Sequence, residues 1–463
     1  HLSYFGTFIH PTKMYLFFTQ TGEIVETLSG IGKILLIPFW IFLFSCLCLW
    51  GSSLLFRNEH KNWRPLKWIL AVAFVYVPVR TYVTKGDYGK QPAIHNLGFS
   101  NFYSSFTYFI SRTVPYKLAK KDLEVYRSKI EKATDKPKIN VVFILGESLR
   151  YQNMQLYGYP RATTPHLMEM QKEMPFLFRK AVSAGVCTDV SIPMFFNNYQ
   201  GTSPMPVVLS QDQCLFKLAK NNGFTTHFYS AQAEGDLKHI VNYLCLASVD
   251  HMQIGPGISL MEDIDKRYYD DILLSKMDDI DFNQPNFLVL HQRGSHSPYN
   301  LRYPKEKALF PVDENAELGQ QMITHYDNSV GFTDQVVYDI VETLKKKSKL
   351  PTYVVFTSDH GQILGENKSW GHIDLNEYVF KVPFVFMSLH KDNVFSQVEK
   401  YPAVISHQEI SDLLVNLLGY RHPGKPPPLR RVFVMGYDLD GLEGGLWVEL
   451  GEKDVGSVQQ VIF

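Results

Sequence analysis

The sequence predicts an α/β protein with a mostly parallel central sheet, preceded by an α-helical transmembrane segment. Three observations predict it. A run from Ile34 to Phe56 carries no charged residue, short apolar runs alternate with helical patterns after Lys138, and several of those runs end where chemistry-capable residues begin.

The run ILLIPFWIFLFSCLCLWGSSLLF is long enough at helical rise to cross a hydrocarbon core of roughly 30 Å. Helices apolar on every side over such a length are uncommon in soluble domains, and a signal peptide would be shorter and nearer the start. Arg57, Lys61, Arg64 and Lys67 follow, opposed only by Glu59, and a second apolar stretch from Trp68 to Val79, with flanks from Leu66 to Val83, completes a second span. The basic loop between the spans belongs on the cytoplasmic side, which places the chain after residue 84 outside the cytoplasm. The first span comes only at residue 34 and the chain begins with His1, as expected of a piece lacking earlier spans.

Residues 1–83 therefore read as a membrane region and 84–138 as a juxtamembrane helix and linker. In the latter, Phe99, Phe102, Tyr103, Phe106, Phe109 and Ile110 recur at helical spacing, suiting either the headgroup layer or packing against the main domain. Lys117 to Lys138 reads as a charged helix and linker closed by Pro137.

Residues 139–463 read as the extracytoplasmic domain. Its strands are INVVFILG from Ile139, THFYSA from Thr226, NFLVLH from Asn286, TYVVFTS from Thr352 and VPFVFMS from Val382. The first is followed by Glu147 and Ser148, the third by Arg293 and His296, and the fourth by Asp359 and His360, as expected for a ligand site beyond the carboxyl ends of the strands.

Composition narrows the function. Lys+Arg 46 against Asp+Glu 46 removes the basic footprint of a nucleic-acid binder. Cys46 and Cys48 lie in the apolar run, so Cys187, Cys214 and Cys245 allow at most one intramolecular disulfide. Two carboxylates and a histidine delivered by strand ends form a reasonable zinc site. Thr188, ahead of a helix start, offers a fourth ligand that would also meet the positive end of a helix dipole. Each residue alone has a plainer reading: Thr188 as an N-cap, Glu147 as a capping carboxylate, Asp359 and His360 as a turn.

GESLRYQNMQLYGYPRATTPHL from Gly146, CTDVSIPMF from Cys187, HQRGSHSPY from His291, SDHGQILGE from Ser358 and GH at Gly371 occur in the order found in a known family. Through them the chain resembles the membrane phosphoethanolamine transferases, within the alkaline phosphatase and sulfatase superfamily, over roughly Ile139 to Tyr420. The resemblance implies an alkaline phosphatase/sulfatase-like α/β/α sandwich. It implies that Glu147, Thr188, Asp359 and His360 bind Zn²⁺, with Thr188 also the nucleophile. His296 and His372 match positions that handle the substrate phosphate or a second zinc ion. Lys238 lies roughly where relatives carry a lysine near the headgroup. His291 is read as packing or hydrogen-bonding within the site.

The activity so implied is transfer of phosphoethanolamine from a membrane phospholipid, phosphatidylethanolamine, to lipid A, core sugar or a glucan, on the periplasmic side of a bacterial inner membrane. The alternatives are phosphoglycerol transfer from phosphatidylglycerol and a membrane-anchored binding protein without turnover. A sulfatase is disfavoured because CTDVS lacks the proline and arginine of the C/S-x-P-x-R pattern. Three departures from the family stand out. Met194 occupies the place of a frequent cysteine partner, leaving Cys187 without an obvious local mate. Gln362 stands where relatives often have Glu, which weakens the expectation of two zinc ions. The stretch VFVMGYDLDGLEGGLWVEL reads as β and looks like the end of some phosphoglycerol transferases.

Overall fold

The computed structural model describes residues 126–461, except 239, 256–267, 373, 391, 424–429 and 442–443, together with a few isolated positions before 126. The chain divides into two compact units, His1–Asp122 and Leu123–Phe463. Most residues of both expected membrane spans, and Phe99, Phe102 and Tyr103 of the aromatic stripe, lie outside the described residues. Among the described residues no helix is long and apolar enough to cross a membrane.

The second unit is built on an eight-stranded sheet. In chain order its strands are β1 (Asn140–Gly146), β2 (Phe176–Val182), β3 (Thr225–Ala233), β4 (His251–Gly255), β5 (Asn286–His291), β6 (Thr352–Ser358), β7 (Lys381–Ser388) and β8 (Val404–Ser406). Across the sheet they run β8-β2-β7-β6-β1-β5-β3-β4. Every neighbouring pair is parallel except those made by β7, which runs against both β2 and β6. Every residue of β1, β5 and β6 is buried, which explains their unbroken apolar runs: a strand covered on both faces has no polar side to alternate with.

On one face, Val141, Phe143, Leu145, Phe287, Val289 and Val355 join a core with residues of helices α2 (Thr188–Phe196), α3 (Leu215–Asn221) and α5 (His407–Leu417). Phe143 stacks on Phe195 at 5.0 Å and Phe196 on Phe216 at 5.4 Å. Such pairs contribute about 0.5–1.5 kcal/mol each beyond area burial. Two further helices, α1 (Pro165–Glu173) and α4 (Leu318–Lys347), contact one another, and Tyr326 of α4 donates its hydroxyl to Ser148 O beyond the end of β1.

The glycine-rich C-terminal stretch is β, as expected. Strands β9 (Arg431–Met435), β10 (Gly445–Leu450) and β11 (Val455–Val461) form an antiparallel sheet. It is tied to the segment before α2 by Met435 N–H donating to Ala184 O at 2.9 Å. Phe433 and Met435 share an apolar cluster with Cys187, Val190 and Met194. Cys187 is a free buried thiol, so packing against this cluster occupies the place where relatives were expected to carry a bridge. The one disulfide among the described residues joins Cys214 to Cys245 across a separation of 31 residues.

Two expectations differ. Residues 126–138 are not helical: Glu131–Lys132 form a short strand paired with Tyr420–Arg421, and Ala133 and Thr134 donate to Gly419 O. Backbone pairing within the second unit overrides the helical composition of that stretch. Strands β2, β4 and β8 carried no clear signal, because β2 contains Arg179 and Lys180, β4 is a largely exposed edge and β8 is only three residues long.

Candidate metal and phosphoryl-transfer site

The parallel register pairs Gly146 with Ser358, so the next residues, Glu147 and Asp359, leave the ends of β1 and β6 side by side. Ser148 adopts φ +55°, a left-handed conformation costing a non-glycine residue of order 1–3 kcal/mol. Its N–H donates to Asp359 Oδ1 at 3.1 Å, and His360 N–H donates to the same oxygen at 2.7 Å. Oδ2 thereby faces Thr188, whose hydroxyl donates to it at 2.8 Å. Ser148 Oγ donates to Glu147 Oε1 at 2.9 Å.

Thr188 is the first residue of α2, with Cys187 in the extended cap position. Its hydroxyl caps no backbone N–H. It lies 3.2 Å from Glu147 Oε2 and 3.3 Å from His360 Nε2. His360 Nε2 is 3.3 Å from Glu147 Oε1 and 3.4 Å from Asp359 Oδ2. Ligand atoms held at 2.0–2.1 Å by a tetrahedral ion sit about 3.3 Å apart, so the four side chains fit Zn²⁺. Glu147, Asp359 and His360 are each at most 1% exposed, and two adjacent buried carboxylates are costly without a compensating positive charge. Burial pushes the Asp359 carboxyl up, but the adjacent His360 and the hydroxyl of Thr188 bring it below its ordinary value.

His296 and His372 join this cluster. The ring of His372 stacks on His360 at 4.5 Å and meets that of His296 edge-on at 5.2 Å. Each of the three imidazoles places Nδ1 against an oxygen acceptor: Gly361 O at 2.8 Å for His360, Ser297 O at 2.6 Å for His296 and Gln362 Oε1 at 3.2 Å for His372. A carbonyl oxygen only accepts, so His360 and His296 donate Nδ1–H to Gly361 O and Ser297 O, while Nδ1 of His372 faces an amide oxygen. Lys238 stands apart. It is exposed in the turn after Glu234–Leu237 and makes no hydrogen bond or ring contact with the cluster among the described residues. His291 is fully buried, with Nδ1 3.1 Å from Ser230 Oγ and its ring over Phe228. Burial lowers its pKa to about 4, keeping it neutral.

Several supporting residues escaped the sequence reading. Buried Asp270 accepts Arg293 N–H at 2.7 Å and Gly294 N–H at 2.9 Å, shaping the loop that bears His296. At Gly294, φ +53°, a Cβ would lie 2.6 Å from Glu147 O, so only glycine lets this loop close on the backbone of Glu147. Arg302 donates to His296 O at 2.7 Å and Ser297 O at 2.9 Å. His407, at the start of α5, reaches Ser358 O at 3.0 Å, and Ser191 of α2 donates to Asp359 O at 2.6 Å. These long-range polar contacts have no periodicity by which a sequence could reveal them.

The chain is 27% identical over 304 residues to the Kdo(2)-lipid A phosphoethanolamine 7''-transferase of Escherichia coli K12, covering 61% of this chain and 52% of that protein. It thus spans about half the length of the relatives it matches. Its fold is shared with the integral membrane protein lipooligosaccharide phosphoethanolamine transferase A from Neisseria meningitidis, with a TM-score of 0.61 at 17% identity, over 91% of this chain and 82% of the other. It is shared too with the C-terminal periplasmic domain of EptC from Escherichia coli in complex with Zn, with a TM-score of 0.53 at 20% identity, over 64% of this chain and 87% of the other. The Sulfatase family pattern runs through residues 139–420, more than half of the chain and including Glu147, Thr188, Asp359 and His360, and the chain belongs to that family.

Proposed function

We propose that the chain is a zinc-dependent phosphoethanolamine transferase that takes the group from phosphatidylethanolamine and passes it to a hydroxyl or phosphate of lipid A, core sugar or a glucan. The observation that carries this reading is the placement of Thr188 Oγ1 within 2.8–3.4 Å of Glu147, Asp359 and His360 at the start of a buried helix. The activities named for the relatives support the transferred group.

Glu147, Asp359, His360 and Thr188 would hold Zn²⁺, which supplies Lewis-acid stabilisation of the threonine alkoxide and of charge on the phosphoryl oxygens. Thr188 gives up its proton towards the carboxylates beside it, and Oγ1 attacks phosphorus. The bond from phosphorus to the diacylglycerol oxygen breaks, leaving phosphoethanolamine on Thr188. His296 and His372 lie beside the phosphoryl group; Nε2 of one of them takes up a proton from solvent, and the imidazolium so formed binds the phosphoryl oxygens and passes that proton to the leaving alkoxide. An acceptor hydroxyl then attacks the phosphothreonine and restores Thr188, a two-step scheme that gives ping-pong kinetics.

The location proposed is the periplasmic side of a bacterial inner membrane. The Cys214–Cys245 bridge supports an oxidising compartment. Helical Trp68, Val72, Val75 and Tyr76, each 57–73% exposed, support an apolar surface that needs covering.

The test is intact mass and peptide mapping of zinc-loaded full chain after incubation with phosphatidylethanolamine in detergent, beside phosphatidylglycerol and a Thr188→Ala control. A phosphoethanolamine increment on the peptide bearing Thr188, absent from the control, is expected. An increment from phosphatidylglycerol alone would reassign the donor. Transfer to an acceptor that persists in Thr188→Ala would overturn the covalent scheme.

A further inference from the structure

Two of the three site imidazoles fix their tautomer with the main chain. His360 and His296 each donate Nδ1–H to the carbonyl of a following residue, Gly361 and Ser297, a contact that no side-chain substitution removes. At His372, Nδ1 faces a side chain, Gln362 Oε1, at 3.2 Å.

Gln362 is fully buried, and its other amide atom, Nε2, donates to the hydroxyl of Tyr299 at 2.8 Å. With Nε2 turned to Tyr299, the amide oxygen faces His372. Tyr299 lies buried with its ring edge-on to Tyr326 at 5.2 Å, so the hydroxyl is presented from a packed position. The backbone at Gln362 is held as well, since its carbonyl accepts from Arg150 Nη1 at 3.1 Å, and Arg150 is paired to Glu366 at 2.7 Å.

We propose that Gln362 is a positioning residue for His372. It holds the imidazole as the Nδ1–H tautomer and turns Nε2, the lone-pair nitrogen, to the site. As a neutral amide it performs this orientation without adding a third carboxylate beside Glu147 and Asp359. The significance for turnover rests on the proposed role of His372 towards the phosphoryl group, whereas the tautomer itself does not.

The experiment therefore has two readouts. In ¹⁵N-histidine-labelled, zinc-loaded full chain in detergent micelles, the His372 resonances are assigned by their absence from His372→Asn. A protonated Nδ1 and bare Nε2 are expected, together with loss of that pattern in Gln362→Met and its retention in Gln362→Glu, whose carboxylate still accepts from Nδ1. The Nε2–H tautomer in the wild type, which needs no variant to fold, would overturn the proposal, as would an unchanged His372 pattern in Gln362→Met. Transfer from phosphatidylethanolamine is expected to fall about 10- to 100-fold in kcat in Gln362→Met and to be rescued in Gln362→Glu. If wild type shows the tautomer but no transfer from any lipid, the functional reading fails and the positioning assignment stands.

Discussion

Thr188 Oγ1 donates to Asp359 Oδ2 across 2.8 Å, the shortest contact in a set of donor atoms otherwise spaced at 3.2–3.4 Å. Asp359 is immobilised through its other oxygen by Ser148 and His360 N–H groups, so the hydroxyl is the adjustable member of the pair.

Removing the metal should accordingly cost stability. A ligand present at about 100 times its Kd stabilises by about 2.7 kcal/mol, so chelation of zinc should lower the melting temperature of the wild type by several degrees. The shift should vanish in His360→Gln and largely survive in Thr188→Ala, which leaves the Glu147, Asp359 and His360 set intact. Thermal melts with and without chelator check this. Equal shifts in the wild type and His360→Gln would place the zinc elsewhere.

His407 should impose an acid limit. Burial lowers its pKa to about 4 from an ordinary value near 6.5. A depressed base contributes stability above its unfolded pKa, and loses it as pH falls through the folded one. The window is therefore pH 6.5 down to 4, and the contribution is about 3 kcal/mol. Denaturant melts across that window should show a weaker pH dependence in His407→Gln than in the wild type. An unchanged slope would remove His407 as a cause.

The Cys214–Cys245 bridge closes 31 residues of chain, for which loop-closure entropy in the unfolded state gives roughly 3–4 kcal/mol. Double replacement by serine should cost about that much in denaturant titrations while leaving zinc binding intact, since neither cysteine is among the metal-facing side chains.

Asp270→Ala should act on both stability and turnover. It strips the acceptors from two buried N–H groups, Arg293 and Gly294, at about 1–3 kcal/mol each. Because the same loop carries His296, kcat should fall more than the melting temperature alone would explain. Steady-state kinetics at a temperature where the variant remains folded would separate the two effects.

Much of the site could be read from sequence because of one physical circumstance. Strands buried on both faces leave continuous apolar runs, and the polar residues that end such runs, Glu147 after Gly146 and Asp359 after Ser358, are conspicuous for that reason. The antiparallel direction of β7 left no trace, since VPFVFMS is as apolar as its parallel neighbours. Gln362 could be seen to depart from its relatives, but not to face His372, because the pairing depends on the turn between Ile363–Leu364 and Trp370–Gly371. The cluster of Glu147, Thr188, Asp359 and His360 was legible from the motifs; Asp270, Arg302 and His407, which hold it in shape, were not.

Helix α2 is fastened along its length. Its residues from Val190 to Phe196 are buried, Ser191 is bonded to the backbone at Asp359, Ser411 donates to Phe195 O at 2.8 Å, and Asn197, just beyond its end, reaches Tyr243 O at 2.7 Å. The hydroxyl at its tip is thus a fixed anvil rather than a swinging arm. Under the proposed chemistry, donor and acceptor must visit the same point in turn, each occupying it to the exclusion of the other. Excess acceptor should then slow loading of the threonine and excess donor should slow its unloading, so that the flux through the enzyme would be set by the ratio of the two lipids as well as by their amounts.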